Sequence, residues 1–568
     1  MSKSSALLIA LYLPLWLFVI PLILTWLPFH IYRCAVKLIA MLNGFEFRHP
    51  VFANVFLIFG DGMSSKMGVT YFGTEISEIA IIWTCDDHVF LGGDFRNSHH
   101  FDVRRPHDCV GGVECRKNDF CHVRPDLIAM LSPSDARFAY NRTHMCPVST
   151  VVPSLELEGD VDPTHIRGTL KIQILEATEE NDNGKLLYPE LGWTIKNFLG
   201  FPFWAKATII DDPVRIISEA MTDAQLTDLH TQLTFQPYEV NGPLWELVIA
   251  RRKHNSAETP TSVVLFRFHH TFVDGVGVFY LLKKMISPQT VQLDKKVSKK
   301  RGNLSPLRYL GMPYDFVHGC REGSSTDLVQ DKKNWSILGD NFSPSEAASH
   351  LCFHISEPIS FGRIRQLGAL HGVSGTAVMH SAILGAIRSS VFADVAPISA
   401  TVRVETTLVP PWKRDRLLGN NVMHGVYTAP VGEVDARKRL IQTNEAFVAM
   451  KESTFCVTST LISYVLASLP RPIVKLIQEL HKGNEGIFIG NIVGPEEIPK
   501  FCGYLSKNVS LMYGFGAINS GLIFGLITFG GTMRICVFGN KNLLPRSGQA
   551  EEITRAFMRE LDDLEIME

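Results

Sequence analysis

The chain has 568 residues, which is too long for one hydrophobic core and predicts two or three domains. Its formal net charge is −2 and charged residues make up 20% of it, so it lacks the dominant basic field of a nucleic-acid-binding protein. Strand-like and helix-like patterns alternate after about residue 127, which indicates mixed α/β structure.

The first feature along the chain is an apolar N-terminal segment. Ala6–Phe29 contains no charged residue and is long enough to span a bilayer. A cleaved signal peptide is disfavoured, because the apolar run is too long and no small-residue cleavage site follows it. A single spanning helix and a hairpin both remain open, since prolines recur every seven residues from Pro14 to Pro28 and membrane helices tolerate proline. We predict a membrane anchor in residues 1–44, and the basic residues from Arg33 onward favour a location of the rest of the chain in the cytosol.

Residues 45–126 form a segment that contains many cysteines and histidines. These are ligand types that zinc prefers, but the cysteines lack the short Cys-x2–4-Cys pair of compact structural sites, so we expect no metal site. A lumenal loop with disulfides requires that Val51–Gly60 re-enter the membrane, and that run is short for spanning. We therefore predict an insertion of unknown role. Its cysteines and histidines are Cys85, His88, His99, His100, His107, Cys109, Cys115, Cys121 and His122.

The strongest local pattern is a strand, a loop and a helix. Thr261–Phe268 is rich in β-branched and aromatic residues, which predicts a buried strand, and Val276–Met285 predicts a helix. The residues between them are His269, His270, Thr271, Phe272, Val273, Asp274 and Gly275. Taken singly, the histidines fit strand-end positions, Asp274 a helix cap and Gly275 a turn. Together they arise by chance in roughly a few chains per thousand of this composition, which favours a general base held rigidly at a strand end.

The chain after this loop is predicted to form a connection and a second half. Residues 291–350 include the basic run Asp294–Arg301 and several turn-forming residues, which is typical of an exposed linker. The second half is predicted over residues 351–568 and ends in an amphipathic helix around Ile553, Phe557 and Leu561. Residues 127–290 then form the first half, which carries the two histidines.

The loop HHTFVDG resembles the HHxxxDG signature of CoA-dependent acyltransferases, which include chloramphenicol acetyltransferase and peptide-synthetase condensation domains. Pro243-Leu244-Trp245 matches the PLW motif of one branch, the wax ester synthase/acyl-CoA:diacylglycerol acyltransferase family. GNIVGP at Gly490–Pro495 is similar to the SNVPGP segment of that family, and LSPSDA at Leu131–Ala136 is similar to its LSPLDA. Gly419-Asn420 fits a Gly-Asn pair in its second half. The chain is identified as a member of this branch.

One departure from the family pattern is clear. Where the family has NDVVLA, this chain has TAVMHS, so Thr376 and Ala377 replace the Asn-Asp pair. The change puts in doubt any acceptor-site role of those two side chains. His380 offers another polar group, and a helical histidine facing a polar neighbour is the simpler explanation for it.

The resemblance implies an α/β fold with two chloramphenicol-acetyltransferase-like halves and the HHxxxDG loop in a tunnel between them. It implies that His270 is the general base and that His269 packs or hydrogen-bonds behind it. Asp274 is expected to orient the loop through a buried ion pair, and Arg403 is a candidate partner. Gly275 completes the motif. A weaker prediction assigns substrate binding, including oxyanion donors, to Asn420, Asn491, Gly494 and Pro495.

The implied activity is transfer of a fatty acyl group from acyl-CoA to a long-chain alcohol or diacylglycerol, giving wax ester or triacylglycerol. The chemistry requires no metal or organic cofactor; acyl-CoA is a co-substrate, and membrane lipid is the other expected partner. We expect the protein at the endoplasmic reticulum membrane or on lipid droplets. A catalytically inactive lipid- or CoA-binding protein of the same fold is the alternative, because the Asn-Asp pair is missing.

Overall fold

The computed structural model describes a large part of the chain after residue 125 and three short segments before it. These residues are 31–34, 82–85, 88–91, 126–139, 143–179, 184–208, 213–253, 259–286, 309, 311–324, 343–392, 400–410, 412, 414, 416–480, 487–514, 521–541 and 543–566. The chain divides into two compact units, one of residues 34–129 and one of residues 1–33 with 130–568. The predicted anchor, apart from residues 31–34, and most of the cysteine- and histidine-rich segment lie outside the described residues.

The strands and helices alternate as the sequence predicts. The strands are β1 (Ile82–Cys85), β2 (His88–Leu91), β3 (Leu127–Met130), β4 (Thr150–Glu158), β5 (Trp193–Phe198), β6 (Phe201–Lys206), β7 (Val214–Met221), β8 (Trp245–Arg252), β9 (Thr261–His269), β10 (Leu351–Ile355), β11 (Ile359–Ser360), β12 (Val402–Leu408), β13 (Met423–Ala429), β14 (Ile487–Val493), β15 (Lys500–Phe501), β16 (Tyr504–Tyr513), β17 (Leu522–Phe529) and β18 (Thr532–Asn540).

The helices are α1 (Pro133–Ala139), α2 (Pro163–Leu170), α3 (Asp223–Phe235), α4 (Gly275–Ile286), α5 (Met312–Ser324), α6 (Pro344–Ser349), α7 (Phe361–Leu370), α8 (Gly375–Ser390), α9 (Ala436–Glu452), α10 (Phe455–Ala467), α11 (Arg471–Leu480) and α12 (Gln549–Ile566). A π-helical turn, Lys171–Leu175, continues α2, and a 3-10 turn, Pro189–Gly192, precedes β5. In the smaller unit, β1 and β2 form an antiparallel hairpin.

The first of two large sheets carries the predicted histidine strand at its centre. Its strand order is β15-β16-β4-β9-β8-β7. Strand β9 is buried at every position and pairs antiparallel with β4 and β8. A run without polar alternation suits a strand covered on both faces. The predicted strand Thr261–Phe268 and the helix that follows it are therefore confirmed, each extended by one or two residues.

The second sheet belongs to the C-terminal part of the chain. Its order is β10-β18-β17-β14-β12-β13, with β11 paired to β18, and β12, β14 and β17 run parallel. Helix α8 is buried along most of its length and packs against α9 and α12. The predicted C-terminal amphipathic helix is confirmed as α12, whose Ile553, Phe557 and Leu561 are buried.

The two halves are not separate in sequence. Strands β15 and β16 follow the second half's β14 but join the first sheet, where β16 pairs antiparallel with β4. The hydroxyls of Ser154 and Ser510 lie 2.5 Å apart across this pairing. The predicted linker, residues 291–350, contains α5 and α6, and α5 packs against α10 through stacked rings of Phe316 and Phe455.

Within the described residues, no single helix is long and apolar enough to cross a membrane. Helices α7 and α8 satisfy length and composition only as a pair bent by 98°. Tyr32 and Arg33 follow the apolar run Ala6–Phe29 within the predicted anchor. The ring of Tyr32 lies 5.6 Å from that of Phe201, and Arg33 Nη2 donates to the carbonyl of Leu131 at 2.7 Å. The anchor itself stays a prediction.

Candidate active site

The loop after β9 is fixed by backbone hydrogen bonds at its start. The N–H of His269 donates to Leu244 O at 2.9 Å, and the N–H of His270 donates to Ser149 O at 2.7 Å. Leu244 belongs to the Pro-Leu-Trp segment, whose Trp245 is buried and donates its indole N–H to Leu191 O at 2.8 Å. The Pro-Leu-Trp segment therefore supports the histidine strand through packing and hydrogen bonds.

His269 points into the core. It is fully buried, and its Nδ1 accepts from the N–H of Thr271 at 3.3 Å and contacts the Thr271 hydroxyl at 2.8 Å. Within the described part of the chain its Nε2 has no partner. Burial lowers the pKa of His269 to about 3, so this ring is neutral at physiological pH. His269 lies behind His270, where it shapes the loop.

His270 is oriented by an amide from the second half. Its Nδ1 lies 2.8 Å from Oδ1 of Asn420. The Nδ2 of Asn420 donates to His270 O at 2.7 Å and to Thr271 O at 3.0 Å, which identifies Oδ1 as the acceptor for the ring. The proton therefore sits on Nδ1, and Nε2 carries the lone pair that a general base needs.

The electrostatic surroundings keep this imidazole neutral. Burial is the main cause that lowers the pKa of His270 below its usual value, and Arg137 lowers it further, while Asp274 and the Asn420 bond act in the opposite direction. The ring of Phe138 stacks on the imidazole at 4.3 Å between centroids. The base is thus available at neutral pH without having to lose a proton first.

Asp274 forms the buried ion pair that the sequence predicted, with a different partner. Arg414 Nη2 contacts both of its carboxylate oxygens, at 2.6 and 2.5 Å. The N–H groups of Gly277 and Asn421 each donate to it at 2.8 Å, so Asp274 also caps α4. The prediction of Arg403 was wrong: its guanidinium pairs with Glu405, two residues away on the same face of β12.

A second carboxylate, Asp135, holds Asn420 from the other side. Its Oδ1 accepts the backbone N–H of Asn420 at 2.9 Å and the side-chain Nδ2 at 3.2 Å. Arg416 binds the other oxygen, and Ser132 Oγ donates to it at 2.6 Å. Asp135 is fully buried, so these contacts replace the water it has lost. They make Asp135 the residue that fixes the amide plane of Asn420.

Gly419 allows the two halves to approach each other at this point. Its φ is +107°, in the region that favours glycine, and its N–H donates to Phe272 O at 2.7 Å. A side chain there would lie 2.7 Å from the guanidinium of Arg416. A glycine is therefore required next to Asn420.

Comparison with known proteins agrees with this arrangement. The sequence model of the WS/DGAT C-terminal domain matches residues 418–565, a stretch that begins next to Gly419 and Asn420. This part of the chain is therefore similar to the C-terminal domain of the wax ester synthase/diacylglycerol acyltransferase family. No curated protein sequence matches the chain at a significant level.

Solved structures share the fold at low sequence identity. The wax ester synthase/diacylglycerol acyltransferase from Marinobacter aquaeolei VT8 is 14% identical, with a TM-score of 0.50, over 77% of this chain and 99% of that one. The trichothecene 15-O-acetyltransferase TRI3 from Fusarium sporotrichioides is 11% identical, over 77% of this chain and 95% of that one, with a TM-score of 0.49. The first condensation domain of the calcium-dependent antibiotic synthetase is 12% identical over the same shares, with a TM-score of 0.49.

The GNIVGP segment lies against the start of α4. A Cβ on Gly275 would lie 3.3 Å from Ile492, and one on Gly494 would lie 3.5 Å from the ring of Phe279. The N–H of Gly494 donates to both the carbonyl and the hydroxyl of Thr528, so it is committed to the end of strand β17. Asn491 Oδ1 is buried without a hydrogen-bond partner in the described residues. Substrate binding by Asn491, Gly494 and Pro495 stays a prediction.

The departure at the family's Asn-Asp pair lies at the first turn of α8. Ser374 caps this helix by accepting the N–H of Ala377 at 3.2 Å, and Ala377 itself is buried. His380 is also buried, and its Nδ1 lies 2.7 Å from the Tyr427 hydroxyl. The simpler explanation of His380, a helical histidine facing a polar neighbour, is confirmed.

Several residues of the site carried no predicted role. Asp135 and Phe138 lie in and just after LSPSDA, which the family resemblance had marked only as a motif. Arg414 and Arg416 stand six and four residues before Asn420, and this basic cluster before a Gly-Asn pair was the available signal. Arg137 packs its guanidinium on Phe138 at 5.0 Å from the ring centroid and donates to Val422 O at 2.7 Å.

An apolar cavity lies elsewhere in the first half. It has a volume of about 40 Å³ and lies between the first sheet, α2 and α4. Trp245, Phe266, Leu281 and Met285 are among the residues that line it, and none of its lining residues belongs to HHTFVDG. Since its lining is separate from His270, it belongs to the packing behind the site.

Proposed function

We propose that the protein is an O-acyltransferase that moves a fatty acyl group from acyl-CoA to a long-chain alcohol or diacylglycerol. The observation that carries this proposal is the bond between Nδ1 of His270 and Asn420, which leaves Nε2 as the proton acceptor. The similarity of residues 418–565 to the WS/DGAT C-terminal domain supports the reaction class. The products are wax ester, triacylglycerol or both.

The mechanism follows from what a hydroxyl needs at neutral pH. An alcohol is a weak nucleophile, so Nε2 of His270 takes its proton as the oxygen attacks the thioester carbonyl. A C–O bond forms and the carbonyl oxygen becomes an oxyanion. Collapse of this intermediate breaks the C–S bond, and the imidazolium returns the proton to the departing thiolate. The products are the ester and free CoA, and no oxidant, reductant or cofactor takes part.

The N-terminal apolar run supports the proposal that this reaction takes place at a membrane. A long-chain alcohol or diacylglycerol partitions into the bilayer, and acyl-CoA is available in the cytosol. We propose a protein anchored to the endoplasmic reticulum or lipid droplets with its catalytic body in the cytosol. The sequons at Asn334 and Asn341 test this topology, because glycans found there on the expressed protein would place the body in the lumen instead.

The central experiment measures ester formation by microsomes that contain the chain, labelled acyl-CoA and a panel of alcohols and acylglycerols. His270→Ala is expected to lower turnover by about 10²- to 10⁴-fold while acyl-CoA still binds. His269→Ala should cost much less, because that ring does not face the substrate. His230→Gln is a matched control: His230 is also buried and bonded, 2.6 Å from Val152 O, but it lies on α3.

Two results would contradict the proposal. Undiminished turnover in His270→Ala refutes the base assignment. A wild-type chain that binds acyl-CoA and makes no ester with any acceptor favours the alternative, an inactive lipid- or CoA-binding protein. The missing Asn-Asp pair motivates that alternative, whereas the complete hydrogen-bond network around His270 favours an enzyme.

A further inference from the structure

Exposed apolar side chains occur on neighbouring elements near one edge of the second sheet. Helices α5 and α10 both pack against the edge strand β13, and α11 follows α10 after three residues. The exposed fractions lie between 43% and 56%. We call these five residues the apolar face: Ile31 (52%), Tyr314 (46%), Val317 (56%), Leu461 (43%) and Leu476 (50%).

Several spatial contacts hold the elements that carry the apolar face in place. Between α5 and α10, the Phe455 ring lies so close to Gly319 that any side chain there would collide with it. The first N–H of α11, that of Arg471, donates to Gly200 O at 2.7 Å. Gly200 lies in the turn between β5 and β6, so α11 is fixed to that hairpin. These contacts connect α5 to α10, and α11 to the hairpin of β5 and β6.

The composition of two of these helices is unusual for a solvated surface. Helix α10 contains no charged residue in 13 positions, although Leu461 is exposed. Helix α11 is amphipathic. Val474 on one flank of its apolar side is buried, and Leu476 on the other flank is half exposed. Lys475, which lies between them in sequence, is exposed. An amphipathic helix whose apolar side is only partly covered by the protein, and whose polar side carries an exposed lysine, fits a helix that lies in a membrane interface.

The residues that follow the N-terminal apolar run lie beside the same hairpin of β5 and β6. Ile31 is exposed, while Tyr32 contacts Phe201, the residue that follows Gly200, and Arg33 binds the carbonyl of Leu131. The uncharged run Ala6–Phe29 ends two residues before Ile31. The segment of the chain that best suits a bilayer is therefore joined directly to the apolar face.

We propose that the apolar face rests on a phospholipid surface and that this docking presents the lipid acceptor to the active site. The proposal builds on the proposed function, because it names the face through which a membrane-dissolved acceptor arrives. A group of exposed apolar side chains such as the apolar face marks an interaction site. The N-terminal run and Lys475 favour lipid as the occupant over a second protein copy.

A short path of packed side chains joins the apolar face to the base. Tyr464 lies one turn after Leu461 on α10, and the guanidinium of Arg137 lies 5.4 Å from the Tyr464 ring centroid. Arg137 lies 5.0 Å from the centroid of Phe138, which stacks on His270 at 4.3 Å. These contacts connect α10, which carries Leu461, to the imidazole of His270.

The test compares acceptors that are dissolved in a bilayer with acceptors that are dissolved in water. The full chain carries Leu461→Glu and Leu476→Glu together, in vesicles of phosphatidylcholine and phosphatidylserine. We expect kcat/KM for a long-chain alcohol in the bilayer to fall about tenfold or more, since each glutamate removes an inserted leucine. The rate with a short, water-soluble alcohol should stay within about twofold of wild type, because His270 is untouched.

Ile566→Glu is the matched control. Ile566 is 81% exposed at the end of α12, which packs against β10 and β18 at the opposite edge of the sheet from β13. This variant should behave as wild type with both acceptors. Equal losses of the double variant with both acceptors, or no loss with either, would overturn the docking face.

A second measurement does not depend on activity. Hydrogen exchange of α10 and α11 in the vesicle-bound chain should be slower in wild type than in the double variant, with α12 unchanged. Equal exchange in the two chains overturns the proposal, as does a loss of a dimer rather than of lipid contact on substitution. If wild type shows the protection but forms no ester with any acceptor, the proposed function fails while the docking face stands.

Discussion

The ion pair between Asp274 and Arg414 should be the strongest single tie between the two halves at the site. Asp274 is fully buried and the Arg414 side chain is only 9% exposed, so water cannot replace either partner. Asp274→Asn keeps the shape but leaves the guanidinium without its counter-charge. Breaking a buried pair from one side costs about 3–5 kcal/mol, which is a large share of the roughly 5–15 kcal/mol that stabilises a typical protein.

A double-mutant cycle isolates the pair. Asp274→Asn, Arg414→Met and the double variant are unfolded in urea, with Arg403→Met as a control whose partner is Glu405. The double variant should be destabilised by at least about 2 kcal/mol less than the sum of the singles, because it buries no unpaired charge. Single effects that add within about 0.5 kcal/mol would refute the reasoning.

Three further outcomes follow from the same site. Asn420→Ala should lower kcat about 10²-fold or more with little change in KM for acyl-CoA, because the ring of His270 loses the hydrogen-bond acceptor that sets its tautomer. An unchanged kcat contradicts this expectation. The acid limb of kcat/KM against pH should lie below 6.5, because burial lowers the pKa of His270, and a midpoint above 7 contradicts it. Burial lowers the pKa values of His230, His269 and His380 to about 4, 3 and 3. Because these rings ionise more readily in the unfolded chain, their contribution to the free energy of unfolding is present above about pH 6.5 and is lost as the pH falls below it. The three histidines together should lower the free energy of unfolding by about 4 kcal/mol at pH 5.5. Urea unfolding at pH 7.5 and 5.5 measures this loss, and equal midpoints contradict it.

The parts of the fold that are local in sequence could be predicted from it. The strand β9, the HHTFVDG loop and α4 are contiguous, and their pattern of buried and capping residues determines them. The family motifs also directed attention to Asn420. By contrast, the pairing of β16 with β4 joins residues more than 300 positions apart, and no local pattern in either strand identifies its partner.

Arg403 was wrongly predicted as the partner of Asp274 for the same reason, since the actual contact joins residues that are far apart in the sequence. A strand-like context with an arginine suggested a rigid partner for Asp274, whereas the actual partner, Arg414, lies in an irregular stretch before Gly419. Loop conformation depends on contacts with both halves at once: Arg414 also donates to the carbonyls of Leu417 and Gly419. Periodicity carries no information about such contacts, so the ion pair could be expected while its partner could not.

The arrangement also explains why a neutral amide, rather than a carboxylate, orients His270. A carboxylate against Nδ1 would favour the imidazolium and raise the pKa of the ring, and in a buried site this would reduce the fraction of free base at neutral pH. Asn420 fixes the tautomer without adding a charge, while the two nearby carboxylates are bound by their own arginines: Asp274 by Arg414 and Asp135 by Arg416. The charges thus determine the position of the loop and the amide, and the proton-accepting atom of His270 stays neutral until substrate arrives.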